Sequence, residues 1–115
     1  MTTVRISRQK GKIVKYRSSG HSGYAEAGSD IVCATLSALL QSPLGGMQDV
    51  LGLRPGFQQD VQKGLLEVDL TQIPSEQRRN KSREINALLE TMVEMVRALA
   101  KQYPKNVKLV EKEEK

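Results

Sequence analysis

Seven residues near the C-terminus, Ile85, Leu88, Leu89, Met92, Val96, Leu99 and Tyr103, fall at offsets 0, 3, 4, 7, 11, 14 and 18 from the first. That spacing follows the 3.6-residue period of an α-helix, so the sequence predicts a helix from about Ser82 to Gln102 with one continuous apolar stripe, ended by Pro104. A stripe of this length has to be buried. No stretch approaches the roughly 18–20 continuous apolar residues of a membrane span, and Met1-Thr2-Thr3-Val4-Arg5 runs into charge where a signal peptide needs an apolar region, so the cover must come from the chain itself.

The rest of the chain supplies strands for that purpose. Thr3 to Arg8 alternates apolar and polar side chains, Gln9-Lys10-Gly11-Lys12 reads as a turn, and Ile13 to Arg17 as a returning strand, which together predict an opening hairpin. Phe57 to Lys63 and Leu65 to Leu70 read as a second hairpin joined near Gly64. Between the two, Ser29-Asp30 can accept hydrogen bonds from the free N–H groups of a helix start. Ile31 to Leu40 is then helical, with Val32, Leu36, Leu39 and Leu40 on a core side and Asp30, Cys33 and Ser37 on a neighbouring stripe. Ser42-Pro43 either kinks this helix or caps a second piece, in which Met47, Val50 and Leu51 renew the spacing up to Gly52. Arg54-Pro55-Gly56 is a connection. Val107 and Leu109 alternate with charged residues as an edge strand, and residues 111–115 are expected to be a flexible tail.

The order β-β-α-β-β-α-β predicts an α+β fold: a mostly antiparallel or mixed sheet of four or five strands carrying two helices. At 115 residues, with 38% apolar and 27% charged side chains, the chain fits one domain over residues 1–110. Met47, Met92 and Met95 read as core filling. One sheet face is left uncovered, and in so small a chain a second copy is a reasonable cover, making a homodimer the expected assembly.

Eighteen Lys and Arg against thirteen Asp and Glu leave a net charge of +5, enough to attract nucleic acid, ribosomes or acidic surfaces without choosing among them. Arg78, Arg79, Lys81 and Arg83 form a basic run before the long helix that could meet phosphate or simply stay solvated. With four aromatic residues and no Trp, base-stacking platforms are disfavoured. A single Cys33 excludes an internal disulfide and, with one His21, argues against a structural zinc site; no metal or other cofactor is expected, and a reducing cytoplasm suits the chain. Neither a Walker loop nor a dinucleotide fingerprint is present.

The residues with the most chemical content are His21 and Cys33, twelve positions apart. Thiolate is the reactive form of cysteine, and a position in the first turn of a helix favours it through unpaired N–H groups and the helix dipole. An imidazole partner would lower the thiol pKa further and could later return the proton to a leaving group. The intervening loop, with Gly20, Gly23 and Gly28, is permissive enough to fold back over the helix start. Asp30 could orient the imidazole or cap the helix; Ser37 could line the site or bond to its own helix. A lone Cys in an amphipathic helix also fits a small buried hydrophobe, so the spacing alone leaves both readings open.

Gly20-His21-Ser22-Gly23-Tyr24-Ala25, followed by Gly28-Ser29-Asp30-Ile31-Val32-Cys33-Ala34 and Ser37, resembles the GHxGYA and DIVCAxxS signature of the ribosomal-processing cysteine protease family, Prp. The resemblance implies an endopeptidase that removes the N-terminal extension of the twenty-seventh large-subunit ribosomal protein during ribosome assembly. It implies His21 as general base and acid, Cys33 as nucleophile, and Gly20, Ser22, Gly23, Tyr24, Asp30 and Ser37 as substrate-binding or supporting residues. The Gly20 to Gly28 loop then corresponds to a lid, the assembly is a homodimer, and an apolar groove near Cys33 is needed for the two Phe that precede the cut in the family's substrates. The partner is that peptide, with no membrane and no direct nucleic-acid contact required. The competing reading is a noncatalytic ribosome- or RNA-associated binding protein that uses the basic run.

Overall fold

The computed structural model describes residues 1–20 and 29–114, with Ser29 and Asp30 as backbone. Strands β1 (Thr2–Gln9) and β2 (Lys12–Ser19) form the opening hairpin, and β3 (Gly56–Asp60) and β4 (Leu65–Asp69) the second. With β5 (Val107–Glu113) they make one five-stranded sheet in the order β3-β4-β2-β1-β5. Every pairing is antiparallel except β1 with β5, which is parallel from Thr2 opposite Val107 to Arg8 opposite Glu113. Among the described residues three α-helices, α1 (Ser29–Gly45), α2 (Ser75–Asn80) and α3 (Ser82–Gln102), complete an α+β fold with a mixed sheet.

Alternation along β1 fixes which side of the sheet is covered. Val4 and Ile6 are buried while Arg5 is exposed, and on the neighbouring strands Tyr16 and Val68 point with Val4 to the covered side. Against that side lie Val32, Leu36 and Leu40 of α1 and Ile85, Leu89, Met92, Val96 and Leu99 of α3. The stripe read from the sequence is thus the core face of α3, joined by Val93, with Leu88 and Tyr103 packed at its margin. Truncating a fully buried member such as Leu89 to Ala should cost about 2–5 kcal/mol.

Several expectations are corrected. At Pro43, where the sequence allows either a kink or the cap of a second piece, helix α1 runs on to Gly45 and continues as a π-helical turn, Gly46–Val50. Proline removes the N–H at that position and its ring crowds the carbonyl four residues earlier, so the ladder is opened there. The hydroxyl of Tyr16 enters from the sheet at this place and donates to the Leu40 carbonyl over 2.6 Å. Of the methionines, Met47 and Met92 are buried but Met95 is half exposed and is not core. The basic run before α3 is partly helical as α2, behind Pro74.

The strand expected from Phe57 to Lys63 ends at Asp60, whose carboxylate accepts hydrogen bonds from the Gln62 and Lys63 amides at 3.1 and 3.2 Å and starts the turn. Strand β5 continues to Glu113, into the segment expected to be a tail, and Glu111 there is held by Arg8 and Arg97 at 3.0 and 2.7 Å. The uncovered sheet face carries Arg5, Lys15, Arg17 and Glu67, with Lys15 paired to Glu67 at 3.1 Å. Such a face can meet water, which removes the apolar cover that was the sequence-based reason for a second copy.

Candidate active site

Pairing of β2 with β4, with Ser18 opposite Leu66, brings the end of the first hairpin beside the start of β4. Helix α1 packs over the same end of the sheet. Between them lies a groove of about 440 Å³. One wall is the exposed edge of α1, with Cys33, Ala34, Ser37 and Gln41; the opposite wall is the β3–β4 turn, with Asp60, Val61, Gly64 and Leu65; Leu36, Leu40 and Leu66 reach the floor from the core.

Cys33 is half-buried and borders this groove, on the stripe it shares with Ser37 and not among the inward-facing leucines. It is the fifth residue of α1, just past the first turn in which the sequence reading puts it. Ser37 is exposed, and its hydroxyl accepts from the Gln41 side-chain amide at 3.4 Å. Cys33, Ser37 and Gln41 are spaced four apart and so lie along one line of the helix surface. Gln41 is thus a groove residue that the sequence reading misses, although helical spacing from Cys33 is signal enough to find it.

Gly20 closes the groove at the end of β2. Its φ of 96° belongs to the region favourable only to glycine, and a Cβ there would lie 2.6 Å from the Met1 carbonyl oxygen. The Thr2 hydroxyl donates to the Gly20 carbonyl at 3.2 Å, and the Thr2 amide donates to the Asn106 carbonyl at 2.9 Å. The last described residue before His21 is thus tied to the first strand, which is itself tied to the turn preceding β5.

Of the remaining predicted residues, Asp30 is the second residue of α1. His21, Ser22, Gly23 and Tyr24 lie outside the described residues, as does the rest of the loop expected to act as a lid after Gly20. The β3–β4 wall gives no local signal in the sequence, because only strand order places it opposite α1. Among the described residues no helix is long and apolar enough to cross a membrane.

The profile of the cysteine protease Prp family matches residues 1–108. The chain belongs to the cysteine protease Prp family. The ribosomal processing cysteine protease Prp of Staphylococcus aureus is 28% identical over 113 residues, covering 95% of this chain and 97% of that protein. A crystal structure of a Streptococcus mutans protein superposes with a TM-score of 0.87 at 27% identity, covering 99% of this chain and 96% of that one. The structure of S. aureus Prp with a substrate peptide gives a TM-score of 0.81 at 26% identity, covering 96% and 99%. Another S. aureus Prp structure, with a covalently linked product peptide, gives 0.78 at 26% identity over the same shares.

Proposed function

We propose that this chain is a cysteine endopeptidase in which Cys33 is the nucleophile and His21 the proton carrier, and that it removes the N-terminal extension of the twenty-seventh large-subunit ribosomal protein. The observation that carries the reading is the half-buried Cys33 on the wall of a groove long enough to run from α1 to the β3–β4 turn. The relatives named as ribosomal processing proteases, one of them bound to a substrate peptide, support the substrate class.

In this reading the Cys33 sulfur attacks the scissile carbonyl carbon as a thiolate, its proton having passed to His21. The tetrahedral intermediate collapses by breaking the C–N bond, and His21 gives its proton to the departing amine. A water then loses a proton to His21 and attacks the thioester, and the carbon–sulfur bond breaks to return the thiolate. Ser37 lines the path beside Cys33, and Leu36, Leu40, Leu65 and Leu66 offer apolar surface for two Phe side chains next to the cut. Gly20, Ser22, Gly23 and Tyr24 belong to the segment that delivers His21, and Asp30 either orients the imidazole or caps α1. A homodimer in the cytoplasm, without cofactor, is the proposed working form.

Mass spectrometry of the full-length ribosomal protein after incubation with the wild type and with Cys33→Ser tests the reading. The expected result is loss of the N-terminal extension with the wild type alone. An uncut substrate, or cutting by the serine variant at the wild-type rate, would overturn it.

A further inference from the structure

A second cleft, of about 810 Å³, lies between the β1–β2 turn and the junction of α2 with α3. Its floor is apolar and buried, built from Ile13, Leu70 and Ile85. Its walls are cationic: Lys10 and Lys12 stand on the hairpin side, Arg78 and Arg79 on the α2 side. Elsewhere Arg8, Lys15, Arg17, Lys81 and Arg97 are engaged by carboxylates, whereas among the described residues none of the four cleft cations is in an ion pair. Two carboxylates also border the cleft; that of Glu113 is occupied by the Gly11 amide at 2.7 Å, and Glu114, the last described residue, follows it at the end of β5.

The turn itself is unusual. Lys10 has φ 52° and Gly11 φ 79°, both positive, in a two-residue hairpin loop set by Gln9 opposite Lys12. Such turns favour Asn or Gly at the first position, and Lys is the one described non-glycine residue held there. A side chain kept at a conformational cost, and carrying a charge into a cleft, points to use of the charge. On the other wall one guanidinium nitrogen of Arg78 donates to the Leu70 carbonyl at 3.3 Å, which fixes the side chain while leaving most of its donors for a ligand.

We propose that this cleft binds the phosphodiester backbone of single-stranded RNA. Two facing rows of cations with an apolar floor suit a strand whose phosphates alternate between walls, and the scarcity of aromatic side chains makes the contact one of charge and not of base stacking. The choice of RNA as the phosphodiester rests on the ribosomal reading above; the cleft chemistry does not. The site is separate from the Cys33 groove, so binding would hold the enzyme on ribosomal particles without entering the cleavage step.

Fluorescence anisotropy with a labelled, unstructured oligoribonucleotide tests this at about 50 and 200 mM salt. The doubly substituted Arg78→Glu, Arg79→Glu protein should bind at least about tenfold more weakly, and Lys10→Asn, which suits the turn better than Lys, should weaken binding while leaving Tm unchanged or higher. Replacing Arg78 and Arg79 with Gln should flatten the salt dependence by about 0.7 in slope for each phosphate that is no longer neutralised. Binding unaffected by these substitutions, no binding at the lower salt, or equally tight binding of a polyglutamate peptide would overturn the proposal. Because anisotropy requires no cleavage, its failure is distinguishable from failure of the peptidase reading.

Discussion

The Tyr16 hydroxyl is inserted in the hydrogen-bond ladder of α1, donating to the Leu40 carbonyl at 2.6 Å and accepting from the Leu44 amide. A sheet residue thereby completes the helix where Pro43 disturbs it. The groove wall that carries Cys33 and Ser37 is the turn-and-a-half of helix just before this splice.

Tyr16→Phe should leave the Leu40 carbonyl and Leu44 amide poorly satisfied in a buried setting, at a cost of about 1–3 kcal/mol. Thermal melts would read this as a fall in Tm of roughly 4 °C per kcal/mol. Burial raises the phenol's pKa well above its ordinary 10.0, opposed in part by the Leu44 amide. The folded state therefore keeps a proton that the unfolded chain gives up. The stabilisation is complete below pH 10.0 and declines as pH rises from there toward the folded value, so wild type and Tyr16→Phe should converge in alkaline melts. A difference that stays constant across that range would refute the splice.

Gly20→Ala combines a left-handed backbone with a 2.6 Å collision against main chain, which no side-chain adjustment relieves. Loss of about 1–3 kcal/mol is expected, by analogy with other strained positions. Since Gly20 borders the groove and precedes His21, kcat/KM should fall further than stability alone explains, measured on protein that is fully folded at the assay temperature. Equal activity per folded molecule would show that the exact path of the chain there is unimportant.

The elements that were legible in the sequence are those whose pattern is local. The α3 stripe and both hairpins follow from period and turn chemistry, and the Cys33–Ser37 stripe appears on the groove because helical spacing alone decides it. The parts that were not legible depend on distant partners. Nothing in Val107 to Glu113 says that it pairs parallel with β1, and charged Glu111 reads as tail until Arg8 and Arg97 are beside it. Pro43 leaves a kink and a cap both open in the sequence because Tyr16, which joins the helix there, is far away along the chain. Helix α2 has no buried residue and so no periodicity to detect.

Arg8 grips Glu90 through two hydrogen bonds, at 2.6 and 2.9 Å, and reaches Glu111 at 3.0 Å. Arg97 holds the other Glu111 oxygen at 2.7 Å and pairs with Glu94 as well. The Arg97 contact chiefly, and Arg8 after it, keep the Glu111 carboxyl below its ordinary 4.5 despite some desolvation. A depressed carboxyl stabilises the fold above the unfolded value and ceases to do so as pH falls through the folded one. Glu111→Gln should therefore cost about 1 kcal/mol or less near neutrality, the scale of partly exposed pairs, with the deficit vanishing in acid. Urea midpoints for both proteins between neutral pH and well below 4.5 would check this; parallel curves would show that Glu111 does not titrate against the two arginines.

Val61 stands 78% exposed at the lip of the Cys33 groove, an apolar side chain that the folded protein alone does not bury. A peptide lying between α1 and the β3–β4 turn would cover it. Val61→Asp then has little to disturb in the fold, where exposed substitutions shift stability by about 0.5 kcal/mol or less. In the complex, however, a carboxylate would have to shed water against the peptide's apolar side chains. A penalty of about 1 kcal/mol corresponds to roughly fivefold weaker binding, and because the residue stands on the wall opposite Cys33 it should appear in KM with kcat retained. Steady-state kinetics on a peptide spanning the cut would decide the matter. Unchanged KM would place the apolar side chains of the substrate elsewhere, and a loss confined to kcat would mean that the turn acts on the chemical step.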